Sequence, residues 1–205
     1  MLKVWGRGNS VNVKKVLWAV EELGVKHERI NAGMEHGVVK TPEYRKMNPN
    51  SLVPTIDDDG FVLWESHSIV RYFAAKHGMG TLYPAELRVR ADAERWMDWA
   101  FTFQGAVRNA FWGLIRTPPE KRDAQAIEES RKRAIEILPV LEATLARQPY
   151  VAGKAFTMGD IPIGSEVQRW MRLPLERSRS PAVEAWFERL RERPAFRKNV
   201  DIPLS

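Results

Sequence analysis

None of the chain's 205 residues is cysteine. That absence removes a disulfide framework, a thiolate metal site and a cysteine nucleophile together. Any thiol chemistry must therefore take its sulfur from a ligand, and no metal is expected. Long apolar runs are missing too: none approaches the ~20 residues of a membrane span, so no membrane partner is expected. The opening MLKVWGRGNS has no basic segment, apolar run and small-residue cleavage site of the secretory kind, which makes the cytoplasm the expected location. A basic stripe is also lacking. The formal charge is +6, but Lys and Arg alternate with acids in EKRDAQAIEESRKRAIE and WFERLRERPAFRK, the texture of a solvated helix face. Nucleic acid is not expected as a partner; a general attraction for anionic ligands is the milder inference.

What is present is an ordinary globular composition, 44% hydrophobic and 28% charged, with a change of texture near Tyr83-Pro84. Before it, short β-prone runs alternate with short helical patterns. Lys3-Val4-Trp5 reads as a strand. VNVKKVLWAVEELG reads as a helix, with Val13, Val16, Leu17, Val20 and Leu23 at helical spacing and Gly24 as its stop. KHERI is a second strand, and Thr41-Pro42 opens a short helix. Val53 to Ile56 and FVLW flank Asp-Asp-Gly as a hairpin, and ESHSIVRYFAAKHG is a further helix. The order βαβ, α, ββα predicts a small mixed sheet with helices packed on it. From Leu87 onward the pattern is helical. In AFTMGDIPIG, Thr157 and Asp160 form a capping box, with Phe156 and Ile161 as its hydrophobic staple. The predicted fold is therefore an α/β domain (residues 1–80), a linker (81–87) and an all-α domain (88–205).

Three stretches carry chemistry. In GRGNSVNVKK the pattern of a nucleotide-binding loop is not completed, which leaves Ser10 and Asn12 at a helix N-terminus, where free N–H groups favour an anion. The plain alternative is that one of them only caps the helix. In LWESHS, Glu65 and Ser66 stand at a strand-to-helix junction. Either Ser66 or Ser68 caps the helix and Glu65 is a solvated acid near its positive end, or a carboxylate beside a hydroxyl and a helix end receives the ammonium and carboxylate of a free amino-acid head. In NSLVPTIDDDG, Pro54 interrupts a strand. Since proline cannot join a ladder, the Val53 backbone is left to pair with a peptide-like ligand. Taken alone, Val53-Pro54 is expected to be trans, as most X–Pro bonds are.

Together these pieces resemble the soluble glutathione S-transferase superfamily, of the bacterial theta- or delta-like kind, over essentially the whole chain. The resemblance rests on SVNVKKVLWAVEELG, on PEYRKMNPNSLVPTIDDDGFVLWESHSIVRYFAAKHG and on TMGDI. It implies a thioredoxin-like first domain, an all-helical second domain, a homodimer and a cis Val53-Pro54 bond. By the same resemblance Val53 and Pro54 bind the cysteinyl part of glutathione, Glu65 and Ser66 its γ-glutamyl head. Either Ser10 or Asn12 activates the sulfur; no tyrosine lies in that loop. His36, Lys40 and Ser51 fall near the glycyl end, and His67 falls where some relatives carry an arginine. The second substrate is expected against WMDWAFTFQGAVRNAFWGLI, with Phe103, Phe111 and Trp112 as candidates; Phe103, like Trp96 and Trp99, also reads as packing. The expected activity is conjugation of the glutathione thiolate to a hydrophobic electrophile, or peroxide reduction by glutathione. Glutathione-dependent disulfide reduction and a non-catalytic binding role are the alternatives.

Overall fold

The computed structural model describes residues 1–205. Its first part is a four-stranded sheet in the order β2-β1-β3-β4. The strands are β1 (Leu2–Trp5), β2 (His27–Ile30), β3 (Thr55–Asp58) and β4 (Phe61–Trp64). Strand β1 runs parallel to β2 and antiparallel to β3, and β4 returns antiparallel on the outer edge. Alternation sets the faces: Leu2 and Val4 of β1 are buried while Lys3 is exposed. Helices α1 (Val11–Glu22) and α3 (Ser66–His77) close one small core over this sheet, where Val13, Val16, Val20, Ile69 and Phe73 meet Val4 and Ile56. Gly6 ends β1 where an added Cβ would lie 2.3 Å from Val13 Cγ2, so only glycine lets the loop descend onto α1.

A short helix, α2 (Pro42–Met47), is capped as expected by Thr41, whose hydroxyl accepts from the Tyr44 N–H at 3.2 Å. The expected strand from Val53 to Ile56 begins only at Thr55. Pro54 has no ladder proton, and the Val53-Pro54 bond is cis, the isomer the resemblance implies and the reverse of the expectation from Pro frequencies alone.

Helices α4 (Leu87–Phe111), α5 (Ala124–Leu145), α6 (Asp160–Arg172), α7 (Pro181–Arg191) and α8 (Pro194–Asn199) form the second part. They enclose a larger core centred on Met97, Phe103, Leu141, Trp170 and Trp186. Helix α1 belongs to both cores. One face gives Val16 and Val20 to the sheet; the other gives Trp18, which packs edge-on against Phe196 at 4.8 Å and tilted against Phe156 at 5.5 Å. Gly164 of α6 permits that approach, since a Cβ there would sit 3.2 Å from the Trp18 ring. The expected capping box takes a modified form. Helix α6 starts at Asp160, whose buried carboxylate accepts from the N–H groups of Thr157, at 2.9 Å, and Val151, at 3.1 Å, and from the Trp186 indole, at 2.9 Å. The Thr157 hydroxyl accepts from the Gly159 N–H, and Phe156 packs tilted against Trp18 and edge-on against Tyr150. No helix is long and apolar enough to cross a membrane.

Candidate active site

One row of the sheet assembles the site. Ile30, Trp5, Thr55 and Trp64 are successive partners across the four strands. Neighbouring strands lie about 4.8 Å apart, so the segments adjoining these residues all emerge at one end of the sheet. They are the loop after β1 with Ser10 and Asn12, the Val53-Pro54 segment before β3, and Glu65-Ser66 after β4. Three segments that are not adjacent in the sequence are thereby brought to one rim.

Each segment leaves polar groups unspent. Ser10 occupies the N-cap of α1, yet its side chain makes no capping hydrogen bond, so the plain capping alternative does not describe its hydroxyl. Asn12 accepts at Oδ1 from the Lys15 ammonium at 3.0 Å and from Gln104 Nε2 at 3.4 Å. A lysine ammonium only donates, so the amide orientation is fixed and Nδ2 is left to donate elsewhere. The backbone N–H and C=O of Val53 lie outside every ladder and turn bond. The loop that presents them is pinned from behind. Tyr44 Oη donates to the Leu52 carbonyl at 2.7 Å, and the buried Asn48 amide donates to the same carbonyl and to Thr55 Oγ1, both at 3.0 Å. Glu65 holds φ at 71°, a left-handed value costly for a residue with a side chain. It is kept there by the α3 bond from the Ile69 N–H to its carbonyl, 2.9 Å. Its carboxylate is exposed and does not cap α3, while Ser66 opens the helix beside it.

Behind Asn12 lies a charged network that the sequence reading did not single out. Lys15, fully buried, spends its three protons on Asn12, on Glu166 Oε1 at 3.0 Å and on His67 Nε2 at 3.3 Å. Glu166 also accepts from Gln104 at 2.8 Å and from Arg169 at 3.4 Å. Burial holds the Lys15 ammonium below the usual lysine range, and Glu166 opposes that. Since Nε2 of His67 is an acceptor, its proton sits on Nδ1, which is buried without a partner. Burial first, then the charges of Lys15 and Arg71, push His67 down to about 2, and it is neutral. The signal for Lys15 was present in the sequence: it lies on the α1 stripe between Val11 and Trp18, where a lysine has to be paired.

A cleft of about 540 Å³ opens beside Ser10 and Asn12. Leu52, Phe101, Phe111 and Trp112 supply its apolar wall. Phe111 ends α4 and Trp112 begins the π turn that follows, Trp112–Arg116. Phe103 is not on this wall: it is fully buried in the helical core, stacked on Trp99 at 5.8 Å, so its packing reading is the one that applies. Helical geometry explains the exchange, because Phe101, two positions earlier, faces the opposite way and carries the cleft. Its ring stacks on His67 at 4.1 Å. His36 is beside Glu35, 3.4 Å away, and Ser51 accepts from Arg45 at 3.3 Å; Lys40 is exposed. No group of three or more His, Cys, Asp or Glu side chains is placed to hold a metal.

A sheet whose one end presents a free Val53 backbone just before a cis X–Pro bond, joined to a helical second part, is the architecture of a known family. The profile of the glutathione S-transferase N-terminal domain matches residues 9–76, and that of the C-terminal domain matches residues 100–194. The chain belongs to the glutathione S-transferase family. It is 44% identical over the full length of both chains to Glutathione S-transferase GstB of Escherichia coli. It is 33% identical to Glutathione S-transferase 3 of Zea mays, across 99% of this chain and 95% of that one. Among solved structures, the theta class glutathione S-transferase of Xanthomonas axonopodis pv. citri with glutathione bound superposes with a TM-score of 0.96 at 46% identity, covering 100% of this chain and 99% of that one.

Proposed function

We propose that the protein is a glutathione transferase that ionises the glutathione thiol at the head of α1 and delivers it to a hydrophobic electrophile in the adjoining cleft. The observation that carries this reading is the pair of unspent donors, Ser10 Oγ and Asn12 Nδ2, on the same rim as the Val53 backbone, Glu65 and Ser66. Relatives add support: the Xanthomonas enzyme has glutathione bound, and a structure of a glutathione S-transferase-I holds lactoylglutathione. Val53, next to Pro54, pairs with the cysteinyl backbone as an added strand would. Glu65 takes the γ-glutamyl ammonium; Ser66 and the first N–H groups of α3 take the carboxylate. Asn12 and Ser10 donate to the sulfur. The thiolate then attacks the electrophilic carbon, a C–S bond forms, the leaving group departs with its electron pair, and the thiol proton has already passed to solvent.

The energetics suffice. Lowering a thiol pKa from ~8.5 by about two units takes roughly 2.7 kcal/mol of preferential thiolate stabilisation. One hydrogen bond to a charged group contributes about 1.5–3 kcal/mol, and a helix N-terminus about 0.3–1 kcal/mol more. Lys15, buried 3.0 Å from Asn12, adds positive potential of the same sign.

We read residues 1–80 as the glutathione-binding domain, 81–87 as the linker and 88–205 as the helical domain, in a cytoplasmic homodimer. The edge strand β4 supports the dimer: Phe61 and Trp64 are 49% and 36% exposed, a large apolar display for an unpaired edge. Mass in solution by light scattering checks it.

The catalytic assignment is tested by pH profiles. Immobilised glutathione retains the wild type. Asn12→Ala and Ser10→Ala are expected to move the rising limb of kcat/KM upward by about one to two pH units for the principal donor, and less for the other. Unshifted profiles in both variants would remove these residues from the mechanism.

A further inference from the structure

The cleft wall holds four arginines, Arg7, Arg108, Arg116 and Arg169, and no acidic residue. They come from four separate places in the chain: the loop after β1, the last turns of α4, the π turn and α6. Arg116 and Arg169 both lie over the Phe111 ring, 5.7 and 3.9 Å from its centre. Arg169 shares Glu166 with Lys15. The other three have no carboxylate within 4 Å: Arg7 and Arg108 have no protein partner, and the closest polar contact of Arg116 is Met34 Sδ, at 3.7 Å. The Nε atoms of both Arg7 and Arg116 are buried without a partner. Glu35 is near Arg7 and Arg116 but pairs with His36. Burial holds Arg7 and Arg169 below the usual arginine range, and the charge of Arg116 presses on each of them.

The same chain shows what its arginines do when they serve the fold alone. A second hollow, of about 450 Å³ between α6 and α7, is also rich in arginine. There Arg172 and Arg191 share Asp201, Arg179 faces Glu184, and Arg177 donates to the carbonyls of Trp170 and Leu173. Beside Asn12, by contrast, Arg7, Arg108 and Arg116 pair with no carboxylate. Partly buried like charges without a counter-ion destabilise the fold, so their arrangement at the mouth of the reactive loop points to a ligand that neutralises them.

We propose that these arginines bind a carboxylate on the second substrate, so that the enzyme selects electrophiles joining an apolar body to an acid group. This rests on the transferase reading above. Phe101, Phe111 and Trp112 take the apolar body, and the planar guanidinium forks of Arg7 and Arg116 take the carboxylate. Glutathione is itself a source of carboxylate, through its glycyl end, and the test separates the two.

The probes are 4-(bromomethyl)benzoate and 4-(bromomethyl)benzamide, matched in shape and differing in charge. In each, the thiolate displaces bromide at the benzylic carbon. Rates are divided by those of the uncatalysed reaction with glutathione. The wild type is expected to favour the benzoate, and Arg116→Gln to lower the benzoate-to-benzamide ratio of kcat/KM by about tenfold to a hundredfold, the range for one charge-assisted hydrogen bond. Arg7→Gln lowers the ratio similarly, and Arg116→Lys restores part of it. Circular dichroism confirms that each variant is folded. Calorimetry with glutathione alone supplies the second arm, where the variants change its affinity by less than about threefold, the scale of a screened charge effect. A larger loss of glutathione affinity with an unchanged ratio would assign the arginines to the glycyl carboxylate and overturn the proposal. So would a wild-type ratio near one. If the wild type gives no heat with glutathione, the transferase reading itself falls.

Discussion

At the residue scale, His67 shows how burial fixes a protonation state. It lies between the Lys15 ammonium and the Phe101 ring, with Arg71 adding charge from its own helix. Folded, it stays neutral down to about pH 2; unfolded, it takes a proton near 6.5. Below that pH the unfolded chain binds the extra proton, so stability falls as acidity rises, by about 1.4 kcal/mol per pH unit from this group. His67→Gln keeps an acceptor for Lys15 and removes the titration. Urea denaturation between pH 6 and 5 should show a shallower loss in the variant by about that slope; equal slopes would mean that His67 is protonated in the folded chain. Some residues of the cleft carry no mark in the sequence. Arg7, Arg116 and Arg169 are far apart in the chain and converge only when α4 and α6 close over the loop, so no local pattern announces them. Ser10, Asn12, Glu65 and Ser66 were legible because each stands where a strand hands over to a helix, a place that short-range spacing marks.

At the scale of elements, the segment of residues 48–55 is a rigid presentation device. Pro54 makes a ladder impossible, and Asn48 with Tyr44 supplies the bonds that a strand would have made to Leu52 and Thr55. Asn48 is 2% exposed, so Asn48→Ala removes a buried donor from the Thr55 hydroxyl and leaves the Leu52 carbonyl to Tyr44 alone. A stability loss of about 1–3 kcal/mol is expected. The KM for glutathione should rise with kcat little changed, because Val53 would be misplaced rather than the sulfur. A changed kcat at constant KM would contradict this role. Strands and helices at this scale followed from alternation and 3.6-residue spacing, with β3 as the exception: its start could be placed only once the Val53-Pro54 geometry was known. Phe103 and Phe101 differ by two helical positions, and hydrophobicity alone does not say which of them faces the core.

At the scale of the molecule, the fold class and the order of parts were readable from the change of texture near Tyr83-Pro84, because the sheet half and the helical half use different periods. The seam between them was not. Across it Lys15 of α1 meets Glu166 of α6 at 3.0 Å, both side chains fully shielded from water. Glu166→Gln leaves Lys15 and Arg169 without their counter-charge, and a loss of about 3–5 kcal/mol is expected in denaturant unfolding at pH 7. The double change Lys15→Met with Glu166→Leu should regain only the part owed to Lys15, because Arg169 still lacks its counter-charge. No recovery would mean that the pair acts through more than its charge.

Helix α1 lends one flank to each core, and its first turn carries the reactive loop. That double tenancy forbids the two halves from swinging apart as jaws: any opening would have to tear Trp18 from its neighbours and strand a cation in oil. Traffic to the sulfur therefore passes through the standing cleft between Leu52 and the end of α4, and the fixed form and charge of that doorway, rather than a closing motion, set which guests are admitted.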